Sequence, residues 1–192
     1  MYFQIACGAI LVFVSILGLL CNIPFMIVVF RPSSRPQSCF FMLAGWLALA
    51  DSICLILMIS YAAPCIVLQR DIGGGQISAI MGGIINVGFF TSLPLIVFLA
   101  VDRWLCLCHR DWFMKTYDDQ KTKLYIAICW LFGLAYSTST FTSCCPLYFD
   151  YVMMTWTWSA KHPGSQKMAI GELVIVITTV ILAHICNTLV LR

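Results

Sequence analysis

The charged residues of this chain are confined to short stretches, and the runs between them are too long and too apolar for a fold surrounded by water. No charge stands between Met1 and Arg31, Asp51 alone stands between Arg35 and Arg70, and none stands between Asp71 and Asp102. Two further runs follow: Lys123 to Asp150 with none between, and Lys167 to Arg192 with Glu172 alone. About 20 apolar residues, rising 1.5 Å each, cross the roughly 30 Å hydrocarbon layer of a bilayer. Five spans are therefore expected, near residues 3–30, 39–68, 77–106, 124–147 and 168–191. Backbone in lipid must satisfy its own hydrogen bonds, and the runs lack the period-two alternation of a membrane barrel. The expected fold class is all-α, a multi-pass transmembrane helical bundle forming one domain over residues 1–192.

Composition excludes several function classes. Charged residues make up 10% of the 192 and hydrophobic ones 61%, against about 25% charged in ordinary soluble domains. Eight acids and eleven bases cannot clothe a core in a polar surface, so membrane lipid is the expected surrounding. The net charge of +3 is spread too thinly to track a phosphate backbone, which argues against nucleic acid as a partner. Most of the eleven Cys lie inside apolar runs, where Cys behaves as a small hydrophobe. Catalysis is not expected: His109, His162 and His184 are scattered, no metal cage is suggested, and no paired carboxylates or Ser/His/Asp order is discernible.

Lys and Arg set the orientation, since cytoplasmic loops retain them. Arg31 and Arg35 follow span one, and Arg103, Arg110, Lys115, Lys121 and Lys123 follow span three. The opposite loops hold Arg70 in one case and Lys161 with Lys167 in the other. This puts the N-terminus outside and Arg192 inside. Met1 leads almost directly into the apolar stretch without a basic region before it, so span one is expected to act as its own insertion signal.

Polar residues within the spans are the candidate functional groups. Asp51 lies near the middle of span two, where an uncompensated carboxylate costs about 2.5 to 3.5 kcal/mol, so it must face protein or water. Ala44, Ala48 and Ser52 make a small-residue face beside it that admits a close neighbour. By helical rise Asn22 lies roughly 12 Å, and Ser92 roughly 15 Å, from the inner ends of their spans, so both reach the depth of Asp51. The three either hold a small cation or water, or Asn22 and Ser92 merely satisfy a protonated Asp51. Gly75, Ala79 and Gly83 suggest close packing around the outer part of span three. In that outer half Asn86, Phe89 and Phe90 either line an apolar pocket or pack the core. Glu172, one turn inside span five and hydrated, is either a contact for a ligand amine or a solvated helix-start charge. Asp102-Arg103-Trp104, taken alone, reads as a charged anchor beside an interfacial aromatic. Cys65, Cys144 and Cys145 fall near outer span ends, where a cross-link is geometrically open. Cys106 and Cys108, at the inner end, are either palmitoylation sites or inert.

The order of these signals is more specific than any one of them. Gly18-Leu-Leu-Cys-Asn22, Leu47-Ala-Leu-Ala-Asp51, Asp102-Arg103-Trp104 and Trp130 occur in succession along spans one to four. In this the chain resembles the rhodopsin-like G-protein-coupled receptors. Leu95-Ile-Val-Phe-Leu-Ala-Val-Asp102-Arg103, Lys121-Thr-Lys-Leu and Ile128-Cys-Trp130-Leu are similar to the nematode serpentine chemoreceptors of class x or class T. The resemblance implies five spans of a seven-helix receptor-like architecture, ending after the fifth, in the plasma membrane. It implies an extracellular small-molecule or peptide ligand and, in a complete receptor, a heterotrimeric G protein. Asp51 becomes a sodium-linked carboxylate, with Ser92 where the family's site often has a serine and Asn22 in the polar core; no cofactor beyond that sodium ion is implied. Asp102 and Arg103 become the acid-arginine pair that restrains the inner end of span three, with Trp104 in place of the usual tyrosine. Family members commonly tie the outer end of span three to the second outer loop by a disulfide; the matching stretch, around Ser78, has no Cys, so that bond is missing or rerouted through Cys65. The alternative function is a small cation transporter or channel-associated subunit using Asp51 and Glu172. A third reading, an adhesion or organiser subunit carrying Cys144-Cys145-Pro146 in an outer loop, loosely resembles the tetraspanins.

Overall fold

A computed structural model describes residues 2–31, 38–142, 145–159 and 163–191. The first helix, α1 (Tyr2–Phe30), is followed by α2 (Cys39–Leu57), one π-helical turn (Met58–Ala62) and α3 (Ala63–Leu68). These last three form one span, and the wide turn has a local cause. Pro64 lacks an N–H and its ring crowds the carbonyl four residues back; just before it, the Ala63 N–H reaches the Met58 carbonyl five residues away, which absorbs the extra bulk without breaking the helix.

Next come α4 (Gly74–Cys108), the short α5 (Arg110–Thr116) and α6 (Asp119–Ser137), which tightens into a 3₁₀ turn at Thr138–Phe141. Two strands, β1 (Leu147–Asp150) and β2 (Thr155–Trp158), precede α7 (Pro163–Val190). Among the described residues five stretches are long and apolar enough to cross a membrane: Tyr2–Phe30, Cys39–Leu68, Gly74–Cys108, Asp119–Phe141 and Gly164–Val190. The second coincides with the expected 39–68, whereas the third and fifth begin earlier than expected, at Gly74 and Pro163.

The fourth span differs most from the expected 124–147. At its start Asp118 caps α6, its Oδ1 accepting from the Lys121 N–H at 2.8 Å. That bond holds the Asp118 carboxyl below its ordinary pKa and begins the helix at Asp119, five residues before Leu124. At its end a run of hydroxyls turns back on its own backbone. Thr138 donates to the Ala135 carbonyl at 2.6 Å, Ser139 to Tyr136 at 2.8 Å, Thr140 to Ser137 at 2.7 Å and Thr142 to Ser139 at 2.7 Å. Such competing bonds loosen the α-helical ladder, and Leu147 belongs to a strand instead.

The β-hairpin is the one architectural feature that apolar run length did not anticipate. Leu147 pairs with Trp158, Tyr148 with Thr157, Phe149 with Trp156 and Asp150 with Thr155. The turn is closed by Asp150, whose Oδ1 accepts from the Val152 and Met153 N–H groups at 2.8 and 3.0 Å. Met154 completes it at φ 54°, a left-handed conformation uncommon outside glycine.

Helix α4 is the hub, packing against α2, α6, α7 and β1. Glycine allows the closest approaches. A Cβ on Gly88 would stand 2.7 Å from the Cys54 sulfur and 2.9 Å from the Ala50 carbonyl of α2. One on Gly133 of α6 would collide with the Thr91 hydroxyl of α4 and lie 2.8 Å from the Val87 carbonyl. Gly133→Ala is therefore expected to lower stability by about 1–3 kcal/mol, read as a lower unfolding midpoint in detergent. Gly75→Ala, whose Cβ would meet Tyr148 at an ordinary 3.7 Å, serves as the near-neutral control.

Candidate functional site

The hairpin lies across one end of the bundle. Its outer strand is seated on α4 through Ser78, whose hydroxyl accepts from the Phe149 N–H at 3.0 Å. The Leu147 carbonyl meets Gly82 so closely that a Cβ there would overlap it. On the opposite side Trp156 stacks on Tyr61 with ring centres 5.8 Å apart and meets Phe149 edge-on at 5.2 Å. Tyr61 is held in turn by donating to Asp71 Oδ1 at 2.6 Å. Trp158 reaches α7, donating from Nε1 to Glu172 Oε2 at 2.8 Å.

Beneath this roof is a cavity of about 240 Å³, lined by Cys54 and Met58, by Ile85, Asn86 and Phe89 of α4, by Leu147, Thr155 and Trp156 of the hairpin, and by Glu172. Of the expected pocket residues, Asn86, Phe89 and Glu172 meet here. Phe90 does not: fully buried, it packs on Tyr136 with ring centres 3.8 Å apart, because consecutive residues of a helix point about 100° apart. Helix α7 begins at Pro163, which places Glu172 more than two turns in, half-buried and bonded to Trp158.

Two of the lining residues carry a donor without an acceptor among the described residues, Asn86 Nδ2, on a side chain only 4% exposed, and Trp156 Nε1; both atoms are closed to water and do not open into the cavity. Native interiors seldom leave such groups unfilled, since each costs about 1–3 kcal/mol.

Sequence reasoning missed Cys54, Met58, Leu147, Thr155 and Trp156 as lining residues. The signal for the hairpin was present in Thr155-Trp156-Thr157-Trp158, an alternation of β-branched and aromatic residues facing Leu147-Tyr148-Phe149.

The polar core lies deeper. Contacts of Gly18 with Leu55 and of Gly45 with Val29 fix the antiparallel register of α1 on α2 and bring Asn22 level with Asp51. The Gly88 contact with Ala50 and Cys54 sets α4 so that Ser92 lies about one turn further on, near the same depth. Asp51 is half-buried and makes no hydrogen bond or ion pair among the described residues. The Ser92 hydroxyl donates to the Phe89 carbonyl at 2.8 Å, leaving its lone pairs open. Asn22, Asp51 and Ser92 thus lie at similar depths on three helices.

At the other end of α4 the acid and the arginine face different ways. Asp102 is 3% exposed, and its Oδ1 has no hydrogen-bond partner among the described residues. Arg103 is exposed, its guanidinium 4.8 Å from the centre of the Phe40 ring on α2. No Asp102–Arg103 ion pair forms; the described ion pairs are the exposed Lys121–Asp118 and Lys123–Asp119. Trp104 meets His109 edge-on at 5.2 Å. Nearby Tyr117 is buried and donates to the Phe98 carbonyl at 3.0 Å. Burial first, and then the charge of Asp102, push its hydroxyl above the ordinary tyrosine pKa. Cys106 and Cys108 are exposed, and the Cys108 thiol donates to the Leu189 carbonyl of α7 at 3.8 Å.

Of the two outcomes left open for the family's disulfide, missing or rerouted through Cys65, the second is not seen. The Cys65 thiol is free and buried in the cluster around Tyr61 and Phe149; Cys145 is buried near the start of the hairpin, and Cys144 lies outside the described residues. Ser78 pins the hairpin by a hydrogen bond.

A pocket roofed by a hairpin, at one end of a helix that carries Asp102-Arg103 at its other end, sets this bundle among a known class. Residues 12–192 match the family model described as serpentine type 7TM GPCR chemoreceptor Srx. The chain belongs to the Srx family. It is also similar to the B1 bradykinin receptor of Canis lupus familiaris, 26% identical over 133 residues that cover 69% of this chain and 37% of that receptor. Its fold matches the crystal structure of squid rhodopsin with a TM-score of 0.84 at 13% identity, covering 99% of this chain and 52% of that one. The Srx chain thus spans about half the length of the rhodopsin and just over a third of the bradykinin receptor. It is a multi-pass integral protein of the plasma membrane, and neither family nor fold favours the transporter alternative.

Because Ser78 replaces a covalent tie, hairpin docking in this Srx chain is expected to be insensitive to reductant and sensitive to Ser78→Ala. Loss of that bond, about 1–1.5 kcal/mol, corresponds to roughly tenfold faster hydrogen exchange at the Phe149 amide. Unchanged exchange would show that the Gly82 contact suffices.

Proposed function

We propose that this chain forms the ligand-receiving part of a G-protein-coupled chemosensory receptor, with the N-terminus and hairpin outside and the Arg103 end facing the cytoplasm. The observation that carries the reading is the hairpin-roofed cavity with Glu172 as its charged lining group among the described residues. Helix α4 joins that cavity to Arg103 in one element, roughly 50 Å long by helical rise. An extracellular ligand bridging α4, α7 and the hairpin would favour one packing of these elements over another, shifting populations at the far end of α4. Arg103, held over Phe40 and not by Asp102, is the group released to meet a heterotrimeric G protein. The reading assigns the chain no catalysis.

Fused in frame to the C-terminal helices of a seven-helix receptor, the chain should give a ligand-evoked G-protein response at the cell surface. Phe89→Ala should raise the half-maximal ligand concentration about tenfold, as loss of apolar contact with the ligand implies. Arg103→Ala should abolish the response at every concentration; a response unchanged by Arg103→Ala would reject the coupling role.

Asp51, Ser92 and Asn22 would hold a sodium ion, whose charge compensates the Asp51 carboxylate and ties three helices together. Replacing choline with sodium should then raise the unfolding midpoint of the wild type and leave that of Asp51→Asn unmoved. Equal midpoints in the two salts would remove sodium from the reading.

A further inference from the structure

The hairpin-roofed cavity is electrically one-sided. Among the described residues its single charged lining group is Glu172, and no Lys, Arg or His lines it. Trp158 occupies Oε2, while Oε1 receives no hydrogen bond among the described residues. A half-buried carboxylate is stabilised by a cation brought against it. Met58, Ile85, Phe89 and Leu147 make the remaining wall apolar.

The cavity is also small. Its 240 Å³ lies below the roughly 300–1,000 Å³ of sites for drug-sized ligands, which suits one ring with a short arm.

Resting on the reading of this cavity as the ligand site, we infer that it takes a small protonated amine. The ammonium sits on Glu172 and the apolar body lies against Phe89 and Met58. A ligand bearing a carboxylate is disfavoured by like charge at Glu172.

The test uses the whole chain in lipid nanodiscs and three matched probes: 2-phenoxyethylamine, its uncharged isostere propoxybenzene, and the anion phenoxyacetate. Each is titrated while the thermal unfolding midpoint is followed. The amine is expected to raise the midpoint at concentrations about tenfold below those the ether needs, and phenoxyacetate to leave it unmoved. Glu172→Gln, which keeps an acceptor for Trp158, should erase the difference between amine and ether. Equal potency of amine and ether on the wild type, or a preference that survives Glu172→Gln, overturns the amine and leaves the cavity as a ligand site. Met58→Trp fills the cavity without touching Glu172 and should abolish every shift. Shifts that survive Met58→Trp, or no shift with any probe, overturn the cavity reading and the amine with it. Should Glu172→Gln fail to fold, the three probes on the wild type and on Met58→Trp decide alone.

Discussion

Helix α4 touches its neighbours backbone to side chain and backbone to backbone, and that closeness positions everything else. In lipid, helices gain little from leaving one apolar surrounding for another, so association depends on van der Waals contact between small residues. Gly88 brings α4 against Ala50 and Cys54 of α2, Gly133 brings α6 against Thr91 and Val87, and Gly82 admits the Leu147 carbonyl. These three contacts fix the depth of Asp51 against Ser92, the height of Asn86 and Phe89 in the cavity, and the seat of the hairpin. A helix held less closely would leave the polar groups of its neighbours facing hydrocarbon.

The hairpin shows how a loop gains position without a covalent tie. Ser78 supplies one acceptor for the Phe149 N–H, and the aromatic cluster of Tyr61, Phe149 and Trp156 supplies the contact area. Trp158 then joins the hairpin to α7 through Glu172. The roof of the cavity is thus coupled to three helices by weak contacts, each able to rearrange without breaking a bond. That suits a site that must respond to what enters it, since a ligand can shift an equilibrium only by its differential affinity for two arrangements.

At the opposite end, the separation of Asp102 from Arg103 follows from helical geometry. Adjacent residues point about 100° apart, so with Asp102 turned into the bundle beside Tyr117, Arg103 must turn out. The Phe40 ring receives it; exposed contacts of this kind contribute about 0.5–1 kcal/mol, weak enough to be displaced by a partner. The apolar cluster of Leu43, Leu95, Leu105 and Tyr117 closes this end from within.

Much of this architecture was legible from the placement of charge. Long uncharged runs have no alternative to crossing a membrane as helices, which is why the helical bundle and the extent of residues 39–68 could be read directly. Asn86 and Glu172 could be named because polar groups in apolar runs are few and costly. Local chemistry refined the rest: the cap at Asp118 and the hydroxyl run after Ser137 set the ends of the fourth span, and apolar run length does not register either. The sequence by itself determined the solvent, the number of crossings and the small set of polar residues that must find partners. Only the tertiary structure decided which of them meet: that Phe90 packs while Phe89 lines a cavity, that Arg103 turns to Phe40, and that Trp158 reaches Glu172. Those outcomes depend on helix rotation and register, which are set by contacts between residues distant in the chain and leave no periodic trace along it.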